Sequence, residues 1–147
     1  MQKQSEAVFC TLRRCKKPLR SVFALLSGFI KMHEMGIAMQ VAEIATASIP
    51  EDMQDARVER VNIKVGKLAA VVPESLRFCF EVVIKDTRLD GAELRIEEIP
   101  VVARCRECDT EWTVTGPVFR CEKCDSGSIE VLSGQELDIE SIEITED

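Results

Sequence analysis

The chain of 147 residues contains no tyrosine, a single tryptophan (Trp112) and a single histidine (His33). With so few aromatic side chains, the core must come from Val, Ile, Leu and a few Phe. A Ser-His-Asp or Cys-His catalytic arrangement needs His33, which sits where a helix starts, and no G-x-S-x-G elbow occurs anywhere. The run H-E-M-G-I fails as a zinc-protease motif, because the second histidine would fall at Ile37. There is no glycine-rich phosphate loop, and nothing approaches the ~20-residue apolar run of a membrane helix. These absences argue against catalysis and against a membrane span. The sequence reads as a non-enzyme.

Charge is unevenly spread. Residues 1–31 hold seven Lys/Arg against one acid, Glu6, whereas the remainder holds 12 basic and 25 acidic residues within a total of −7. An acidic body repels a phosphate backbone, so no nucleic-acid partner is expected. The basic stretch R-R-C-K-K-P-L-R followed by V-F-A-L-L-S-G-F-I resembles the first two regions of a signal peptide. No small-x-small cleavage site follows it, and export would expose the paired cysteines downstream to oxidation. Residues 1–31 are therefore read as an N-terminal extension outside the native fold, with an upstream start assigned to a product that begins at Met32. A cytoplasmic location is expected.

From Met32 onwards the pattern is regular. Ile37, Val41, Ile44 and Ala45 share one helical face, closed by Pro50. Val61, Ile63 and Val65 alternate as in a half-buried strand. A second helix starts at Pro73 and aligns Leu76, Phe80 and Val83. G-A-E-L-R-I-E-E-I alternates again, and E-L-D-I-E-S-I-E-I is strand-like. In that last segment Leu137/Ile139 and Ile142/Ile144 fall in opposite phase, which predicts a bulge or a switch of face. The expected class is α+β: a small three-stranded sheet packed with two helices.

The strongest signal lies between the last two strands. C-R-E-C (Cys105, Cys108) and C-E-K-C (Cys121, Cys124) stand twelve residues apart. Each C-x-x-C can turn two thiolates towards one point, and two such knuckles complete a tetrahedral cage. Zinc is the default occupant and rubredoxin-like iron the rival. With four protein ligands the site is structural, and the metal largely folds the lobe, since so few residues cannot build a core. T-E-W-T-V-T-G-P-V-F-R is expected to place strand residues on both sides of Gly116-Pro117. This zinc-ribbon or rubredoxin-like knuckle is predicted to span 102–130, inserted into a domain made of 32–101 and 131–147. Cys79, flanked by phenylalanines, reads as a small core hydrophobe.

His33 alone could be an exposed residue at a helix start. Beside a starting Met32, however, an α-amine, the following backbone nitrogens and the imidazole could reach one metal ion. Nitrogen donors in a plane suit Ni(II) or Cu(II), not the tetrahedral thiolates further on.

M-H-E-M-G at 32–36, V-G-K-L after the first strand, P-E-S-L-R-F-C-F-E on the second helix, the two C-x-x-C pairs and the closing L-D-I-E-S-I-E-I resemble the HypA/HybF family of hydrogenase nickel-incorporation proteins. The resemblance covers residues 32 to 147. It implies a nickel metallochaperone with transported Ni(II) and structural Zn(II). Nickel would be held by the amine of Met32, the amide and imidazole of His33 and the amide of Glu34. Implied partners are a HypB-type GTPase and the large subunit of nickel–iron hydrogenase, with urease a further recipient in some bacteria. A monomer or weak homodimer is expected. The competing readings are a zinc-ribbon adaptor in a transcription or RNA complex, and a rubredoxin-like electron carrier. As numbered here, Met32 carries a peptide nitrogen and not an amine, which departs from the family's nickel terminus.

Overall fold

The computed structural model describes residues 8–11, 34–53 and 55–145. In chain order the elements are strand β1 (Val8–Thr11), helix α1 (Glu34–Ala47), β2 (Arg57–Gly66), helix α2 (Pro73–Ile84), β3 (Glu93–Ile99), β4 (Val102–Cys105), β5 (Glu111–Thr113), β6 (Ile129–Ser133) and β7 (Leu137–Thr145). They form two sheets, ordered β1-β7-β2-β3 and β5-β4-β6.

Both helices form for local reasons. In α1, Ile37, Val41 and Ala45 recur every fourth residue and are buried, with Ala38 beside them and Ile44 only half-buried. Glu34 in the first turn complements the helix dipole. The helix ends as Ser48 returns its amide to the carbonyls of Ile44 (3.0 Å) and Ala45 (3.2 Å), two residues before Pro50. In α2, Pro73 stands in the first turn, where its missing N–H would have had no partner. Leu76, Phe80 and Ile84 are its buried residues, and Val83 is half-buried against the same core. The row follows the four-residue repeat through Ile84 and not the expected three-residue step to Val83. Burying a ring such as Phe80 contributes about 1.5–3 kcal/mol.

The parallel pair β2/β3 needs a crossover, and α2 supplies it. On its other side β2 pairs antiparallel with β7. There the expected bulge is found. Asn62 faces Ser141 and Ile63 faces Ile139, leaving Glu140 as the extra residue. One inserted residue brings Leu137 and Ile139, and then Ile142 and Ile144, to the helix-covered side. Val58, Val61, Ile63, Leu94 and Ile142 meet both helices in one core. On the bare side, Asn62 is buried, and its amide donates to Ser141 Oγ (3.0 Å) and Glu143 Oε1 (2.9 Å). Arg60 spans Glu143 (2.8 Å) and Glu93 (3.0 Å), and Lys64 pairs with Glu140 at 2.7 Å.

Three expectations change. The three anticipated strands are joined by β1, which comes from within residues 1–31 and pairs antiparallel with the edge of β7. Backbone pairing asks only for a free edge, a demand that side-chain pattern does not announce. Of the segment between the two cysteine pairs, only Glu111–Thr113 pairs with β4; residues 118–120 form no strand, because β6 takes the other edge of β4. The register of that pair, Val102 opposite Ser133, carries the second sheet three residues past the expected boundary at 130.

The lobes join at two glycines. Gly66 closes β2 against the linker to β7: its amide donates to Glu136 O (2.7 Å), and the Leu68 amide donates to Gly134 O (2.7 Å). Gly134 itself has φ +107, a conformation that favours glycine, and lies against Val101.

Candidate metal centre

Cys105 ends β4, and Cys108 follows in the turn towards β5; Cys121 and Cys124 form the second turn before β6. The two turns are built alike. The Asp109 amide donates to Cys105 O (3.0 Å) and the Cys105 amide to Thr110 O (2.9 Å). In the second turn Asp125 donates to Cys121 O (2.9 Å) and Cys121 to Ser126 O (2.9 Å). Asp109 and Asp125 occupy the left-handed region, with φ 55 and 58, which aspartate tolerates better than most residues. The repeated unit is therefore longer than C-x-x-C. It is C-x-x-C-D-[T/S], a signal present in the sequence that the cysteine count alone overlooks.

The knuckles face each other. Cys105 Sγ lies 3.5 Å from Cys124 Sγ, and Cys108 Sγ 3.4 Å from Cys121 Sγ. All four sulfurs lie within 4.8 Å of one another. A tetrahedron with Zn–S bonds of ~2.3 Å has sulfur–sulfur edges of about 3.8 Å, so this donor set fits the ion. A disulfide would need ~2.05 Å, and the described cysteines are free thiols. Cys105 and Cys121 are buried, Cys108 is half-buried and Cys124 is exposed.

Crowding four thiols separates their acidities. The hydroxyl and the backbone of Thr110 favour the Cys108 thiolate and lower its pKa to about 6. At Cys124 the Ser126 amide also favours the thiolate, but hydrogen bonding with the other thiols, Cys105 first, and partial desolvation of the crowded sulfur prevail and push the thiol up to about 12. Without a cation the four cannot all ionise. A divalent ion removes that conflict, which is the chemistry of a structural site.

Cys79 is half-buried on α2 against the core, as expected of a small hydrophobe. Of the residues expected to hold nickel, Met32 and His33 lie outside the described residues. Glu34 is the first residue of α1, half-buried, and its carboxylate accepts the Val72 amide at 3.4 Å. No helix among the described residues is long and apolar enough to cross a membrane.

A helix-covered mixed sheet, with a four-thiolate knuckle lobe inserted before its last strand, defines a two-lobed α+β metalloprotein. The chain belongs to the HypA family: the model described as "Hydrogenase/urease nickel incorporation, metallochaperone, hypA" matches residues 32–144. A hydrogenase maturation factor HypA from Desulfosudis oleivorans is 60% identical over 115 residues, covering 78% of this chain and 100% of that protein. The corresponding factor from Desulfatibacillum aliphaticivorans is 58% identical over 115 residues, covering 78% of this chain and 88% of the other. A solution structure of the Ni metallochaperone HypA from Helicobacter pylori shares the fold, with a TM-score of 0.56 at 22% identity over 79% of this chain and 100% of that one. The protein is a nickel-incorporation metallochaperone of hydrogenase maturation, and its cysteine cluster fits a structural zinc site. The zinc-ribbon adaptor reading finds no support.

Proposed function

We propose that this chain binds Ni(II) through Met32, His33 and Glu34 and hands it on for hydrogenase maturation, while Cys105, Cys108, Cys121 and Cys124 hold a resident zinc. The observation that carries the nickel assignment is the position of Glu34 at the start of α1. The first amides of a helix have no partner within it, so the backbone nitrogens here are open to another use. The Glu34 carboxylate is already engaged with Val72, which leaves its amide as the donor. The family match also begins at residue 32.

The imidazole and backbone nitrogens place Ni(II) at the amino end of α1, and zinc supplies cross-linking in the other lobe. No catalytic group is involved. The recipients are the large subunit of nickel–iron hydrogenase and, on the same chemistry, urease, with a HypB-type GTPase as the working partner in the cytoplasm. On this reading the nickel lobe is 32–101 with the last strand, and the zinc lobe runs from 102 to the end of β6 at Ser133.

The test is calorimetric titration of nickel at pH 7.5 into two proteins, residues 1–147 and residues 32–147. The shorter protein, with a free amine beside the imidazole, should bind one Ni(II) more tightly. His33→Ala should abolish the site, and Glu34→Ala should affect it less. Binding should weaken in mild acid, because a free amine titrates at about 8 and a free imidazole at about 6.5. Equal affinity at the two lengths removes the amine from the ligand set.

A further inference from the structure

The helix pair hides one side and leaves another bare. Met35 and Met39 lie one turn apart on α1, and Phe78 and Val82 one turn apart on α2. With Val72 at the head of α2, these five side chains range from 40% exposed (Met35) to 66% exposed (Phe78). The first turns of the helices meet where the Glu34 carboxylate accepts the Val72 amide. The apolar row therefore begins beside Glu34 and runs along the solvent side of the pair. Scattered exposed hydrophobes are ordinary; four on two adjoining helices and a fifth at the head of one, a phenylalanine among them, single out this face.

Its rim is mainly acidic, four glutamates against Arg77 and the exposed Lys85 three residues beyond Val82. Helix α1 carries Glu34 and Glu43 and no basic residue, while α2 carries Glu74 and Glu81 with one basic residue, Arg77. Arg77 pairs with Glu74 at 2.5 Å. Glu43 lies one turn beyond Met39, and Glu81 three residues beyond Phe78, so both border the apolar row.

We infer that this face docks a partner protein presenting an amphipathic helix whose apolar stripe is flanked by Lys and Arg. Charge complementarity chooses this occupant. A second copy on a two-fold axis would set one net-acidic rim against another, and an anionic lipid surface would be repelled by the excess of glutamates. The long, adaptable thioethers of Met35 and Met39 suit a helix laid into a groove. Resting on the nickel assignment above, the inference makes the occupant the giver or receiver of the ion, because the patch starts one residue from Glu34.

The probe is an 18-residue peptide of leucine and lysine patterned as an amphipathic helix, with a leucine–glutamate peptide of the same pattern as control. Each is titrated into the zinc-loaded, ¹⁵N-labelled full chain. The lysine peptide should shift amide resonances around Met35, Met39, Phe78 and Val82, and the glutamate peptide should not. Phe78→Ser, an exposed site where folding is safe, should weaken the lysine peptide about tenfold. It should leave nickel affinity unchanged. His33→Ala should do the reverse, so loss of the nickel reading and loss of the docking reading give different results. Shifts elsewhere, equal response to both peptides, or a concentration-dependent dimer abolished by Phe78→Ser would overturn the proposal; the last would make the occupant a second copy.

Discussion

Gly66→Ala puts the junction between the lobes to the test. A Cβ at residue 66 would fall onto the carbonyl carbon and oxygen of Gly134 and lie 2.5 Å from Gln135 N, all of them backbone atoms. No rotamer change relieves this; the end of β2 and the linker into β7 must separate by an ångström or more. Separation stretches the Gly66–Glu136 and Leu68–Gly134 hydrogen bonds, both 2.7 Å. Two such bonds are worth about 1 kcal/mol each. Overpacking adds about 1–3 kcal/mol. The expected destabilisation is therefore about 3–5 kcal/mol, a large part of the ~5–15 kcal/mol that holds a domain together. The same substitution at Gly36 meets nothing within 4 Å and lies in helix α1, so Gly36→Ala should stabilise by up to about 1 kcal/mol. Urea unfolding of the zinc-loaded proteins, read by far-ultraviolet circular dichroism, compares the pair. If Gly66→Ala costs less than about 1 kcal/mol, the close approach of the two glycines does not hold the lobes and the reasoning fails.

Cys108→Ala should lose the tightly held zinc and unfold the lobe around it, because structural zinc contributes about 10–16 kcal/mol in small modules; one equivalent of zinc retained by the purified variant, measured by elemental analysis, would sink the four-thiolate cage. Asp138 is held above its ordinary value first by burial and then by Glu136, with Lys64 opposing. Its protonated form fits the fold better, so its contribution is fully present below the ordinary carboxylate range and is lost as pH rises through the raised value. Asp138→Asn should therefore raise the melting temperature at pH 7, with the gain shrinking as pH falls through the carboxylate range; a gain independent of pH, or a loss at pH 7, contradicts the assignment.

Much of this architecture is legible in the chain itself. Helices α1 and α2 are written in side chains four residues apart, and Pro50 and Pro73 act within a turn of their own positions. The thiolate pairs are equally local, since a C-x-x-C closes its own knuckle. The bulge at Glu140 announces itself as two apolar pairs in opposite phase, because a strand can bury both only by gaining a residue. Tertiary structure decided what depends on residues far apart. That β6 and not residues 118–120 takes the free edge of β4 is a competition between distant segments for one row of hydrogen bonds. The seating of β1 against β7 needs only an open edge, which no side-chain period encodes. The need for glycine at both 66 and 134 is an encounter of backbones 68 positions apart. Phe78 and Phe80 are the same residue type two positions apart on one helix, yet Phe80 is fully buried and Phe78 is mostly exposed. Periodicity separates their faces; only the placement of α1 and the sheet left the face of Phe78 uncovered.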